Sequence, residues 1–470
     1  MSVIKVDLCV IGGGSGGLSV AAGAVQMGAS VVLLEGGKMG GDCLNYGCVP
    51  SKALLAAGKH AHAMTTGAPF GITPVVPQVD YAAAKTHVAK VIAGIAPHDS
   101  VARFEGLGVQ VISAYGRFIS PREVQAGAHV IRARRFVIAT GSSPFVPPIP
   151  GLDSVRHFTN EDIFELQERP AHLIIIGGGP IGMEMAQAHA RLGSKVTVLE
   201  GLKALGKDDP ELAAIALARI RSEGVEIVEG ALASEITDEG GVTVKTKGGA
   251  SYTGSHLLMA VGRKPNIDRL DLDKAAIEFD RPGITVGANL KTSNRRAYAI
   301  GDVAGGLQFT HMANYHAGIV IRSALFGLPA KATNAHIPWA TYTDPEIAQV
   351  GLTEAEASEK HGNALEVLRF DFAENDRARA ELNTTGLIKV MVVKGRPVGA
   401  SIVGAGAGEL IQIWALAIAN KLKIGAVAAM VSPYPTMGEI NKRVAGAYYT
   451  PRLFENPRVK RIVRFVQRLW

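Results

Sequence analysis

Two of the three cysteines in this 470-residue chain, Cys43 and Cys48, lie in the stretch Gly40-Gly41-Asp42-Cys43-Leu44-Asn45-Tyr46-Gly47-Cys48-Val49-Pro50-Ser51-Lys52. One helical turn, or a tight junction between a loop and a helix, can bring sulfurs at that spacing into disulfide geometry. A loop this short removes little unfolded-state entropy, so the pair is a weak staple and a better candidate for a bond that is made and broken. Two unrelated core thiols are the competing explanation, and flanking Gly, Pro and Lys make a poor core segment. A zinc site would need further ligands. His60 and His62 sit too far along the following segment to complete a tetrahedron easily, so no structural metal is expected.

The elements that must hold such a pair come next. Residues 6–35 read as strand, glycine turn, helix and strand: Val6 to Ile11, then Gly12-Gly13-Gly14-Ser15-Gly16-Gly17, an Ala-rich helix, and Ser30 to Glu35. In a dinucleotide unit Gly12 makes the tight turn, Gly14 admits a pyrophosphate, Gly17 lets the helix pack on the strand, and Glu35 meets a ribose hydroxyl. The pattern recurs as His172 to Ile176, then Gly177-Gly178-Gly179-Pro180-Ile181-Gly182, a helix from Met183, and Lys195 to Glu200. Two dinucleotides are therefore expected. Glu200 would repel a 2′-phosphate, which favours NAD(H) over NADP(H), although Lys203 and Lys207 nearby could soften that preference.

Between the two units, residues 51–100 look helical and 109–140 alternate as strands do, ending in Phe136-Val137-Ile138-Ala139-Thr140-Gly141. The Pro-rich run Pro144 to Pro150 reads as a linker. The second unit ends in Ala260-Val261-Gly262-Arg263-Lys264-Pro265, and Arg296 to Val303 predicts a buried strand ending in the acid Asp302. From Ala335 onward the chain alternates strands, aromatics and two helices without a third glycine fingerprint. The expected domains are 1–147 (completed by about 268–333), 148–267 and 334–450, with a tail at 451–470.

Composition narrows the class. With 47% hydrophobic and 19% charged residues the chain has material for large cores. The net charge of +7 is too diffuse to argue for nucleic acid. No apolar run reaches the roughly 18 residues of a membrane span, and the chain enters a strand pattern without a signal-peptide pattern, so an intracellular protein is expected. Cys9, inside Leu8-Cys9-Val10-Ile11, reads as a plain buried thiol. The tail places Val459, Ile462, Val463, Val466 and Leu469 at helical spacing, with Arg458, Lys460, Arg461, Arg464 and Arg468 around them. It could pack on its own dimer, or lie on an anionic membrane with Phe465 and Trp470 near the headgroups. The protein is accordingly placed either free in the cytoplasm or at the inner face of the membrane.

In combination and order, GGDCLNYGCVPSK, ATGSSP, GGGPIGMEMA, AVGRKPN and AIGDVAG resemble the flavin disulfide reductases, the family of glutathione reductase, dihydrolipoamide dehydrogenase and mercuric reductase. The resemblance runs from about Val6 to Arg443. It implies an α/β protein with two Rossmann-like domains and a C-terminal α+β dimerisation domain, working as a homodimer. FAD would contact Gly12, Gly14, Gly17, Glu35, Gly41, Lys52, Ala139, Thr140, Gly141, Asp302 and Ala313. NAD(H) would contact Gly177, Gly179, Ile181, Gly182, Glu200 and Gly262. The implied relay runs from nicotinamide through flavin to Cys48, releasing Cys43 as the thiolate that faces the substrate, with Lys52 and Glu184 paired beside the flavin. An ordinary surface charge is the competing reading of Glu184.

One departure bears on the substrate. Glutathione reductases and lipoamide dehydrogenases carry His-Pro-Thr-x-x-Glu near the C-terminus, where this chain reads Tyr434-Pro435-Thr436-Met437-Gly438-Glu439. Tyrosine ionises near pH 10 against about 6.5 for histidine, so it is a poor base at neutral pH. Mercuric reductases carry a Tyr there, which places Hg(II)-like thiophilic metal reduction at Cys43, Cys48 and Tyr434 ahead of dihydrolipoamide oxidation. The match is incomplete, because the C-terminal cysteine pair that delivers Hg(II) and the N-terminal metal-binding domain of many such enzymes are missing. Another disulfide or oxidant stays open. A reading from a different class is a flavoprotein redox sensor, or a membrane-docked module, that does not turn over. Intact thiols, Lys52 and two complete fingerprints argue against it.

Overall fold

The computed structural model describes residues 2–238 and 240–469, which leaves the Trp470 expectation outside the described residues. Two compact units emerge, one of residues 1–201 and 230–332, the other of residues 202–229 and 333–470.

The first unit is built on strand β1 (Ser2–Ile11), helix α1 (Ser15–Gln26) and strand β2 (Val31–Leu34). Strand β1 pairs in parallel with β2 on one side and with the strand His129–Ile138 on the other. Strands Gln110–Ile112 and Ala297–Ala299 extend the parallel sheet, and a hairpin of Gly116–Ser120 and Glu123–Ala126 adds to it. Both faces of a parallel sheet are buried, so its strands carry unbroken apolar runs. Side chains alternate across the pleat: Leu8 and Val10 enter one core with α1 and the helix Thr310–Leu325, while Cys9 and Ile11 enter the other. Cys9 is fully buried there, as expected.

The second glycine unit repeats the construction. Strand His172–Ile176 pairs in parallel with Lys195–Glu200 and with His256–Met259. The intervening helix is Pro180–Arg191, three residues longer at its start than expected, because a proline without a free N–H suits the first turn. The stretch 51–100 also departs from a continuous helix. Helix α3 runs Cys48–Thr65, a further helix runs Tyr81–Ile95, and the break between them holds Pro69, Gly71, Pro74 and Pro77.

The second unit carries a five-stranded antiparallel sheet in the order Pro338–Thr341, Glu346–Gly351, Arg396–Gly404, Leu387–Val393, Leu365–Asp371. Eight α-helical segments follow residue 335 among the described residues, rather than two. Several span only four or five residues, too short to show a helical period in sequence. Trp414, the largest fully buried side chain, belongs to this core, and its indole N–H donates to Asn441 Oδ1 at 2.7 Å. Lys389, nearly buried, lies 2.8–3.1 Å from Asp209, Glu211 and Glu354, and these carboxylates hold its ammonium charged despite burial.

Candidate active site

The thiol stretch folds as two helices meeting at a corner. Gly40 and Gly41 adopt left-handed backbone (φ +86° and +60°), which turns the chain into the short helix α2, Gly41–Asn45, carrying Cys43. Asn45 fastens the turn by donating from Nδ2 to the Met39 and Gly41 carbonyls at 3.0 and 2.8 Å. After Tyr46 and Gly47, α3 begins at Cys48. A Cβ at Gly47 would come within 2.8 Å of Asp42 Oδ2 and 3.1 Å of the Asp42 carbonyl oxygen, so a larger residue there would have to displace the Asp42 side chain.

Both cysteines are free thiols in this structure and hydrogen-bond to each other. Cys48 Sγ also lies 3.5 Å from Thr310 Oγ1. These contacts separate the two groups. The Cys48 thiol is lowered to about 6, first by the hydrogen bond from Cys43, then by Thr310 and the charge of Lys52. Its place at a helix N-terminus favours the same ionisation. Cys43 moves the other way, raised by its bond to Cys48 and by burial. These contacts favour ionisation at Cys48 over Cys43.

Lys52 lies one turn beyond Cys48 on α3, and its Nζ is 2.8 Å from Glu184 Oε2. Glu184 is buried in the helix Pro180–Arg191, not a surface charge. Cys43, Cys48, Lys52 and Glu184 are therefore brought together.

The two fingerprints match closely. A Cβ at Gly12 would fall 2.4 Å from the Ala139 carbonyl oxygen, and one at Gly177 would fall 2.3 Å from that of Ala260. At Gly17 and Gly182 the corresponding distances, to Gly12 O and Gly177 O, are 1.8 and 2.0 Å. Glu35 accepts from the Gly13 amide at 2.6 Å, and Glu200 accepts from the Gly178 amide at 2.7 Å. A side chain at Gly41 would meet Gly14 Cα at 2.7 Å, whereas one at Gly179 would enter open space. Two helix N-termini fronted by bare backbone, each with a carboxylate at the end of the next strand, are cradles that fit dinucleotides such as FAD and NAD(H).

Around the first cradle, Thr140 Oγ1 donates to the Asn266 carbonyl at 2.8 Å and Asn266 Nδ2 donates to the Thr140 carbonyl at 3.0 Å. Gly141 (φ +68°) and Gly262 (φ +123°) leave open space where a side chain would stand. Ala313, on the helix Thr310–Leu325, would lie 3.2 Å from a Cβ at Gly301. Asp302 accepts from Ser142 Oγ at 2.6 Å, and burial raises its carboxyl above the ordinary range. Ile181 stays partly exposed at the start of its helix.

Several residues of this neighbourhood were not singled out from sequence. Arg263 forms an ion pair with Asp42 at 2.9 Å and donates to Ser142 Oγ and to the Ser142 carbonyl, each at 2.7 Å. Through Ser142 it links Asp302 to the residue beside Cys43. Asn160 Nδ2 donates to Asp42 Oδ1 at 3.0 Å and to the Tyr46 carbonyl at 3.1 Å. The signal for Asp42 and Arg263 was a charge inside each of two quoted motifs. Thr310 and Asn160 had none.

Tyr434 and Glu439 belong to the second unit. Tyr434 is 70% exposed, and its hydroxyl donates to Asp376 Oδ2 at 3.0 Å. That bond, then the charge of Asp376, raises the phenol further above its ordinary value. Glu439 opens the helix Glu439–Ala447 and pairs with Arg443 at 2.9 Å. Among the described residues no group of three or more His, Cys, Asp or Glu side chains could hold a metal ion.

The class follows from paired thiols set between two dinucleotide cradles. The family profile described as pyridine nucleotide-disulphide oxidoreductase matches residues 6–317, and that of the same family's dimerisation domain matches residues 337–445. This chain belongs to the pyridine nucleotide-disulphide oxidoreductase family, whose members are FAD-dependent. It is 35% identical to a mercuric reductase of Bacillus cereus over 92% of this chain and 70% of that one. It is 30% identical to a dihydrolipoyl dehydrogenase of Bacillus subtilis over 92% and 96% of the two chains. Among solved structures it resembles a Cu(II) complex of the HOCl-induced flavoprotein disulfide reductase RclA from Escherichia coli. That match has a TM-score of 0.83 and 28% identity, covering 94% and 99% of the two chains.

Proposed function

We propose that this chain is an NADH-driven, homodimeric FAD enzyme that uses Cys43 and Cys48 to reduce a thiophilic metal ion, with Hg(II) as the type, or a disulfide. The proposed domains are FAD-binding (1–147 with about 268–333), NAD-binding (148–267) and dimerising (334–450). Bound FAD supplies two-electron exchange between nicotinamide and the thiols. The single observation that carries the reading is the placement of Cys48: at a helix N-terminus, in contact with Cys43 and Thr310, and one turn from the Lys52–Glu184 pair.

Each residue then has a task. Gly12, Gly14, Gly41, Glu35 and Asp302 hold FAD, and Gly177, Gly179, Gly182 and Glu200 hold NADH. Glu200 favours an unphosphorylated ribose because its carboxylate is already fixed on the Gly178 amide and would repel a phosphate. Lys52, fixed by Glu184, keeps positive charge beside Cys48. Cys43 faces the substrate. When the dithiol closes to a disulfide it yields two electrons and two protons, which a disulfide takes up to become two thiols. A divalent metal ion takes the two electrons, and the two protons pass to solvent.

Tyr434 decides between substrates. Its hydroxyl is held protonated by Asp376, which suits a hydrogen-bond donor and not a base for dithiol substrates. The likeness to a mercuric reductase and to a Cu(II)-complexed reductase supports a metal substrate. The test is parallel steady-state assay of the FAD-loaded enzyme. Hg(II)-dependent NADH oxidation should exceed NAD⁺ reduction by dihydrolipoamide, and the reverse order would overturn the metal reading.

A further inference from the structure

We propose that the C-terminal helix Pro457–Gln467 is a docking element for an anionic lipid surface. The dimerisation match ends at residue 445, so this helix lies beyond the family's shared body. Asn456 caps it, accepting from the Arg458 amide at 2.9 Å, and no residue of it is buried. One face is apolar and open: Ile462 is 62% exposed, Val463 51%, Phe465 63% and Val466 42%. The face continues into a groove lined by Leu453, Phe454, Val459, Lys460, Val463 and Arg464.

Charge selects the occupant. Arg458, Lys460, Arg461, Arg464 and Arg468 stand in the tail, and no Asp or Glu occurs from residue 457 to 470. A bilayer of acidic phospholipids takes up both features at once, the apolar stripe at the headgroup boundary and the cations among mobile phosphates. A nucleic acid would leave the stripe in water. A second protein would need several acids around an apolar patch to satisfy the same helix. Eleven residues are too few to cross a bilayer, which takes about 20, so the helix would lie in the surface plane. A dimer would present two such helices, and their joint engagement strengthens attachment.

The test is sedimentation of the FAD-loaded full chain with vesicles. It should pellet with vesicles of equal parts phosphatidylcholine and phosphatidylglycerol, remain in solution with phosphatidylcholine alone, and be released by added salt. Each neutralised arginine is expected to weaken binding about fivefold, so the triple change Arg461→Gln, Arg464→Gln, Arg468→Gln should cost about a hundredfold. Phe465→Asp, which removes an apolar contact while keeping those arginines, should also weaken it. NADH oxidation in solution should be unchanged in all variants. The proposal falls if the full chain stays in solution with acidic vesicles, or if removing residues 457–470 leaves sedimentation intact. It also falls if Phe465→Asp alters the size of the assembly but not vesicle binding, since the apolar face would then belong to a protein contact.

Discussion

The thiol corner and the Tyr434 region are built in opposite ways. Around Cys48 every neighbour acts on ionisation: Cys43 and Thr310 hydrogen-bond to the sulfur, Lys52 adds positive charge, and Asp42, paired with Arg263, adds negative charge. Tyr434 is solvent-facing, and its hydroxyl is held by one carboxylate that opposes ionisation. The surroundings of Cys48 thus favour a thiolate, while the surroundings of Tyr434 oppose ionisation of its phenol. On the proposed reading, electron delivery and proton handling are assigned to separate regions, and substrate choice would follow the second.

The comparison can be broken most severely at the thiols. Cys43→Ser should lower NADH-dependent oxidant reduction by about a thousandfold or more, while FAD binding survives in the absorbance spectrum. At the other region, Tyr434→His should raise dihydrolipoamide oxidation at least about tenfold, because positioned general bases contribute about 10²–10⁴-fold. Steady-state assay near pH 8 checks this, and no gain would mean the proton route lies elsewhere. Lys52→Met removes a charge that favours the Cys48 thiolate, so its ionisation should move up by about one pH unit, a tenfold change in thiolate at fixed pH below the midpoint. Iodoacetamide alkylation rates against pH report that midpoint. Asp42→Asn should have the smallest effect and the opposite sign. Asp42 raises the Cys48 thiol, so neutralising it should lower the alkylation midpoint by a few tenths of a pH unit.

Legibility from sequence follows the same divide between local and distant causes. The fingerprints were readable because Gly12, Gly17, Gly177 and Gly182 obey steric rules within a few residues of chain, and the structure repeats those contacts in both fingerprints. Cys43 and Cys48 were readable for the same reason, their corner being closed by Gly40, Gly41 and Gly47. The Arg263 bridge was not. It depends on strand Arg263–Pro265 pairing with Ser142–Pro144, residues far apart in sequence with no shared period. Thr310 reaches Cys48 across 262 positions for a similar reason. The break at residues 66–80 carried its signal openly in prolines and glycines, yet helix-forming alanines on either side masked it. The short helices after residue 335 owe their existence to packing around Trp414 and the sheet rather than to propensity.

The most direct test of the thiol relay is anaerobic addition of NADH to the FAD-loaded, oxidised enzyme, followed by iodoacetamide labelling and mass spectrometry. The account predicts that both Cys43 and Cys48 become labelled only after NADH, that Cys9 stays unlabelled in the folded core, and that an added oxidant reverses the gain. Sustained turnover of the same oxidant with neither Cys43 nor Cys48 ever becoming labelled would contradict it.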